Sequence, residues 1–243
     1  MQKLLGLLRK ANNDYNLIED GDRIAVGISG GKDSIALLTI LNAYRRFAPE
    51  KFELVAININ MGFDNLNQTE VQNLENYLES IGVPFIMEKT DIDEIIFDVR
   101  NESNPCSLCS KMRRGALNTV AIKNGCNKIA LGHHSVDILE TFFLSFLYEG
   151  RLSTFMPKSY MDRTQMTLIR PFIYADERQI IGLCRKYNLP IVHNPCPEDK
   201  HTKREDMKDL IKGLDEQFKG SKVKMLRALF HPERNNLLDK SLK

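Results

Sequence analysis

The run Ser29-Gly30-Gly31-Lys32-Asp33-Ser34 combines residue types suited to one task, the holding of a phosphate. An apolar, β-branched stretch at 24–28 precedes it and reads as a buried strand, and an apolar-periodic stretch at 35–44 follows and reads as a helix. A strand, a glycine turn and a helix start form an anion site for a physical reason. The first helical N–H groups have no partner inside the helix, and the macrodipole adds partial positive charge where they point. Gly30 and Gly31 let the backbone approach a phosphate with no Cβ between. Lys32 adds a point charge, while Ser29 and Ser34 offer hydroxyl donors. Asp33 tolerates a phosphate when a cation stands between them, which predicts Mg²⁺ at this turn. The commoner phosphate loop, Gly-x-x-x-x-Gly-Lys-Ser/Thr, is absent. A glycine turn with a solvated lysine and aspartate is the plain alternative, and it leaves the strand-to-helix setting of all six residues unexplained.

A second set of residues could carry metal or redox chemistry. Cys106-Ser-Leu-Cys109 opens a helical stretch and is followed by the basic residues Lys111, Arg113 and Arg114, which could meet phosphates. Cys196 stands between Pro195 and Pro197 in a rigid loop far along the chain. Thiols two residues apart at a helix start are expected to have lowered pKa values and to share one metal centre. A thioredoxin-like dithiol fits less well, because the pair does not follow the first strand of a βαβ unit. Three cysteines suit a [4Fe–4S] cluster with one iron left open. His193 with Cys196 would instead complete a Cys₃His zinc site, and spacing leaves the two open. Cys126 and Cys184 fall in apolar helical patterns and read as buried structural thiols. The third signal is Gly132-His133-His134-Ser-Val-Asp137-Ile-Leu-Glu140. A dipole-favoured carboxylate at a helix start is commonplace, so residue types alone do not make this a site.

The glycine turn resembles the PP-loop of the ATP pyrophosphatases, which cut ATP between its α- and β-phosphates, adenylate a carbonyl oxygen and release pyrophosphate. Taken with Cys106-Ser-Leu-Cys-Ser-Lys-Met-Arg-Arg-Gly115, Ala130-Leu-Gly-His-His134 and Asn194-Pro-Cys196, the set resembles the tRNA-cytidine 2-sulfurtransferase family. The order and spacing are similar across most of the chain. The resemblance implies a [4Fe–4S] cluster on Cys106, Cys109 and Cys196. It implies ATP and Mg²⁺ at Ser29, Gly30, Gly31, Lys32, Asp33 and Ser34, with Asn60, Gly132 and His133 completing the nucleotide site. Lys32, Asp33 and Asp137 would be catalytic, and the product would be a tRNA cytidine thiolated at C2. The partners implied are tRNA, a sulfide or persulfide donor such as a cysteine desulfurase, and a second copy in a homodimer. Three positions depart from the family's pattern: Val136-Asp137 replaces an Asp-Asp pair, Ser145 an asparagine, and Asn60 an aspartate. The lost carboxylates bear on Mg²⁺ and on the substrate. They keep two rivals in view, a PP-loop ligase stapled by Cys₃His zinc and a non-catalytic nucleotide- or cluster-binding module.

These groups need a scaffold. Strands at 24–28, 53–60, 84–88, 128–132 and 167–170 alternate with helices at 35–44, 68–80, 106–123 and 135–148. That alternation predicts an α/β fold with a mostly parallel five-stranded sheet and helices on both faces. Ligands gather at the carboxyl ends of such strands, so the glycine turn, residues 60–63 and residues 133–137 should converge. Residues 1–22 read as an N-terminal helical arm and 23–170 as the PP-loop domain. Residues 171–243 read as a helical C-terminal appendage carrying the third cysteine, with helices at 176–187, 203–218 and 222–230. The polar stretch 101–104 reads as a loop.

With 243 residues, 42% of them hydrophobic, the chain can bury a sizeable core. Its net charge of +2, from 34 basic and 32 acidic residues, means that any RNA-binding surface must be local. Five cysteines are an odd number and point to a reducing compartment. No apolar run approaches membrane-spanning length, and the opening Leu/Lys pattern reads as a helix rather than a signal peptide. A soluble cytoplasmic protein with no membrane contact is expected.

Overall fold

A computed structural model describes residues 1–100, 105–198, 203–235 and 237; the loop expected at 101–104 lies outside them. In chain order the elements are α1 (Gln2–Tyr15), β1 (Arg23–Gly27), α2 (Lys32–Tyr44), β2 (Glu53–Asn60), α3 (Gln68–Ser80) and β3 (Phe85–Lys89). A π-helical turn, Glu94–Val99, then leads into α4 (Pro105–Lys123). β4 (Lys128–Ala130), α5 (Ser135–Glu149), β5 (Lys158–Met161), β6 (Met166–Ile169), α6 (Glu177–Tyr187), α7 (Lys203–Gln217) and α8 (Ser221–Phe230) follow.

The strands form one sheet in the order β3-β2-β1-β4-β6-β5. Every neighbouring pair is parallel except β5 with β6. The fold class is the one expected, but the sheet has six strands rather than five. β5 is a four-residue edge strand bonded to β6 alone. Its Lys-Ser-Tyr-Met run has neither an apolar stretch nor the alternation that announces a half-buried strand. β1 lies at the centre, and Ile24, Ala25 and Val26 are wholly buried, as a strand covered on both faces must be. α2 is apolar almost all round, with Ile35, Leu37, Leu38, Ile40 and Leu41 inaccessible, the mark of a helix enclosed by the core.

From β1 the chain winds outward through β2 and β3 on one side and through β4 and β6 on the other. The carboxyl ends of β1 and β4 therefore flank a switch point, where departing connections leave a crevice. At the opposite end of these strands, the Lys128 ammonium is buried 2.8 Å from Asp22 and donates to the Leu17 carbonyl oxygen at 3.0 Å. This pair locks the start of β4 beside the entry to β1.

By packing, the described residues fall into two units. The first, residues 1–134 and 156–200, holds the whole sheet, α1 to α4 and α6. Within it α6 packs on α2 and α4 packs on β2. The second, residues 135–155 and 201–243, is built from α5 packed against α7 and α8. The stretches divided at residues 22 and 170 follow chain order, whereas these units follow packing. Cys196 belongs to the unit that carries the sheet. Among the described residues, no helix is long and apolar enough to cross a membrane.

Candidate active site

The glycine turn leaves β1 as expected and is stiffened from within. Gly30 has φ +87°, a conformation that costs any residue with a Cβ. Gly31 caps α2 in extended conformation and supplies no side-chain cap, so the helix leaves the first N–H groups of α2 unpaired, an anion-binding arrangement. Ser34 donates its hydroxyl to the Gly31 carbonyl at 2.9 Å and accepts the Ser29 N–H at 3.2 Å. The Ser29 hydroxyl accepts the Gly31 N–H at 3.3 Å and lies 3.2 Å from that of Ser34. Both hydroxyls knit the turn together. Gly132, at the exit of β4, touches the start of α2: a Cβ there would stand 2.9 Å from the Asp33 carbonyl carbon and oxygen. Only glycine permits this approach, which brings the two sides of the switch point together.

Lys32 is half-buried between two carboxylates, Asp33 at 3.0 Å and Glu177 of α6 at 3.1 Å. Burial works against its charge, but the two carboxylates outweigh that and hold the ammonium above its ordinary range. The other Asp33 oxygen, Oδ1, is buried without a hydrogen-bond partner and lies 3.6 Å from Nε2 of the buried His134. His133 receives the Arg170 Nε–H on Nδ1 at 3.3 Å. Arg170 is buried, and its pKa is pushed down to about 10 by that burial and then by the nearby Arg114 charge.

The three positions singled out as departures are buried or locally bonded. Asn60 turns its amide oxygen onto the Gly62 N–H at 3.0 Å, and its main-chain oxygen accepts from Thr90 at 2.9 Å. Val136 is buried, as is Ser145, whose hydroxyl donates to Glu149 at 3.2 Å. Asp137 lies in the first turn of α5 in the second unit, where Arg204 reaches it at 3.7 Å and Glu140 at 3.1 Å. Glu140 is buried, and its pKa is pushed up to about 7 by desolvation and then by the Asp137 charge, with Arg204 opposing.

α4 begins at Pro105, a residue pre-organised for a first helical position, and sets Cys106 and Cys109 about one turn apart. These two and Cys196 line one small cavity, walled by Met61, Phe63 and Phe97 among others. The Met61 thioether sits 3.4 Å from the Cys109 sulfur. The lowered thiol pKa values expected of a helix start are corrected here. Burial pushes Cys106 and Cys109 up, and the neighbouring thiols add to it, while Arg113 only partly opposes this at Cys109. Desolvation inside an apolar pocket outweighs the helix dipole. All five cysteines are free thiols; Cys126 and Cys184 are buried, as the pattern suggested, and the Cys184 thiol faces the Lys32 carbonyl at 3.6 Å.

Among the described residues, no three His, Cys, Asp or Glu side chains are grouped to hold a single metal ion. His193 has Nδ1 2.7 Å from the Glu70 carboxylate, a contact compatible with either metal reading. Three free thiols around one apolar cavity, Cys106, Cys109 and Cys196, are a donor set suited to a [4Fe–4S] cluster. Asp33 Oδ1, a buried acceptor with no donor, fits a cation at the glycine turn.

Lys111 and Arg114 are exposed on α4 and Arg113 is half-buried, so the basic stretch adjoins the thiols by sequence and by position. Glu177, Glu70, Val192 and Arg170 are site groups that sequence reasoning missed. The signal for Glu177 was its place in the first turn after the Asp176 capping box, a position that says nothing of Lys32. Glu70 likewise reads as a helix-start carboxylate.

A mostly parallel sheet whose first strand feeds a Gly-Gly-Lys turn at the switch point defines the PP-loop class, and residues 4–214 match the family described as the PP-loop domain. Relatives extend over the full chain. The tRNA-cytidine(32) 2-sulfurtransferase of Syntrophotalea carbinolica is 41% identical over 100% of this chain and 93% of its own length. That of Geotalea daltonii is 42% identical over 96% and 93%. The chain belongs to the tRNA-cytidine 2-sulfurtransferase family of PP-loop enzymes. In fold it is also similar to the U34-tRNA thiolase NcsA of Methanococcus maripaludis, solved with its [4Fe-4S] cluster. The TM-score is 0.77 at 23% identity, over 98% of this chain and 80% of that one.

Proposed function

We propose that the protein replaces the C2 oxygen of a tRNA cytidine by sulfur at the expense of ATP. The observation that supports this most is that Cys106, Cys109 and Cys196 line one cavity, with Cys196 on a segment that also covers the nucleotide turn through Val192. ATP lies along the turn, its pyrophosphate on the N–H groups at the start of α2, and Lys32 exchanges its carboxylate partners for phosphate oxygens. Gly132 and His133 border the nucleotide, and Asn60 closes the end of β2. The C2 carbonyl oxygen bonds to the α-phosphorus as the bond to pyrophosphate breaks. Sulfide then adds at C2, the C2–O bond breaks, and AMP leaves, so oxygen is exchanged for sulfur without redox change.

Cys106, Cys109 and Cys196 would hold a [4Fe–4S] cluster, which when bound supplies an iron free of protein ligands where sulfide can be kept. Mg²⁺, for which Asp33 Oδ1 is the fitted atom, neutralises phosphate charge. Asp137 keeps the catalytic role that the family pattern gives it. Lys111, Arg113 and Arg114 hold RNA phosphates, and a base in an anticodon loop is already partly unstacked, which lowers the cost of extracting it. A cysteine desulfurase is the fitting sulfur source, a homodimer the assembly and the reducing cytoplasm the setting.

Lys32→Ala should cut tRNA-dependent AMP formation by about 100-fold or more; unchanged ATP turnover would overturn the adenylation reading. Protein purified without oxygen should be brown with about four irons per chain. Colourless protein holding one zinc would overturn the cluster.

A further inference from the structure

Residues 188–198 run from the end of α6 to the cavity without helix or strand. An irregular segment has no ladder of its own, so its position is set by the few bonds it makes to neighbours. Two anchors on it lie at adjacent residues. The Val192 N–H donates to the Gly30 carbonyl at 2.9 Å, and its side chain covers Gly30 so closely that a Cβ there would lie 3.0 Å from Val192 Cβ. At His193 the second anchor takes over. Glu70, in the first turn of α3, accepts the His193 N–H on Oε2 at 2.8 Å and meets Nδ1 with Oε1 at 2.7 Å. One carboxylate thus grips both the main chain and the ring of the same residue. Three positions on is Cys196, whose own N–H donates to Asn194 Oδ1 at 3.3 Å.

We propose that Glu70 is a positioning residue for Cys196: by gripping His193 it fixes the place of the third thiolate relative to Cys106 and Cys109. The geometry explains why an exposed histidine, 84% accessible at its side chain, is held by two bonds from a residue of another element. A thiolate on an irregular segment loses conformational entropy on joining a shared centre, and a segment already fixed loses less of it there. Glu70 touches neither substrate nor thiol, so it acts only through the segment. The Gly30 anchor adds a consequence: displacement of the nucleotide turn shifts a residue four positions from the third thiolate. The inference rests on the three-thiolate reading, and its test separates the two.

The test compares Glu70→Ala with Glu70→Gln. Glutamine keeps an acceptor for the His193 N–H and offers an amide donor to a neutral Nδ1, so it should restore what alanine loses. In cluster-free protein, the alkylation rate of Cys196 by iodoacetamide, read by mass spectrometry against that of Cys106, should rise about threefold or more in Glu70→Ala and stay near wild type in Glu70→Gln. In anaerobically reconstituted protein, iron should be lost to a chelator several-fold faster from Glu70→Ala, again with rescue by glutamine. The melting temperature of the cluster-free variants should not move, because the bonds lie at the surface. Wild-type alkylation and iron retention in Glu70→Ala would overturn the proposal. So would a fall in melting temperature that accompanies the losses, since the carboxylate would then be merely structural. Wild-type protein that binds no iron defeats the cluster reading, while the alkylation ratio still decides whether Glu70 orders the segment.

Discussion

Two adjacent glycines give the sharpest check on how the turn is held, because the structure assigns them opposite responses to the same methyl group. Alanine at Gly30 must adopt φ +87°, which costs an L-residue about 1–2 kcal/mol. Its methyl would also stand 3.0 Å from Val192 Cβ and 3.2 Å from the Val192 carbonyl oxygen, a crowding that adds about 1–3 kcal/mol. Gly31 has φ −72° and ψ 160°, open to any residue, and a Cβ there would meet only Ser29 Oγ at an ordinary 3.5 Å. There the smaller freedom of the unfolded chain should stabilise the alanine variant by about 0.4–1 kcal/mol. Gly31→Ala should therefore be more stable than Gly30→Ala by about 2–6 kcal/mol. Urea unfolding followed by far-ultraviolet circular dichroism measures this; with an m-value of about 2–3 kcal/mol/M, the midpoints should differ by about 1 M or more. Gly30→Ala should also speed alkylation of Cys196, since Val192 must give way. Equal losses in the two variants, or a wild-type midpoint for Gly30→Ala, would refute the reasoning that the positive φ and the Val192 cover hold the turn.

Glu140 makes stability depend on pH. Its folded pKa of about 7 lies above the ordinary 4.5, so its contribution is fullest below pH 4.5 and is lost as pH rises through 7; the loss is at most about 3 kcal/mol. Glu140→Gln removes this slope, so its stability relative to wild type should climb between pH 4.5 and 7.5 in urea titrations; a pH-independent difference would count against a buried, desolvated carboxylate. Replacing Lys111, Arg113 and Arg114 together by alanine should weaken tRNA binding and flatten the slope of log affinity against log salt by about 2–3. An unchanged slope in filter binding would move the RNA surface elsewhere.

The centre of the sheet could be read from the chain because its residues carry more than one signal each. Residues 24–28 are apolar, β-branched and followed at once by the glycine turn, so strand, turn and helix start agree. β5 carried no such agreement: a short edge strand facing solvent has no apolar pattern to show. The thiols illustrate a different limit. Cys106 and Cys109 sit where a helix dipole lowers a thiol pKa, but burial among Met61, Phe63 and Phe97 decides the sign, and burial by distant side chains has no local trace. Glu177 and Glu70 were invisible for the same reason. Each looks like an ordinary helix-start carboxylate until the fold brings Lys32 to one and His193 to the other.

These two carboxylates show how the resting turn is balanced. Lys32 contributes one positive charge, and Asp33 and Glu177 contribute two negative ones within hydrogen-bond reach of it. A bare triphosphate arriving at this turn meets the partial charge of the helix start but also a net negative side-chain set. Coulomb repulsion over a few ångströms in a partly buried site exceeds what a helix start returns. The balance changes sign only if a divalent cation enters with the nucleotide. Asp33 Oδ1, buried and without a donor, is the atom such an ion would satisfy. On the adenylation reading proposed above, Lys32 would then leave Glu177 for phosphate oxygens, and Glu177 would remain as the group to which it returns. Lys32 is thus held by α6 as well as by its neighbour Asp33, and α6 is an element that the sequence placed in a separate appendage.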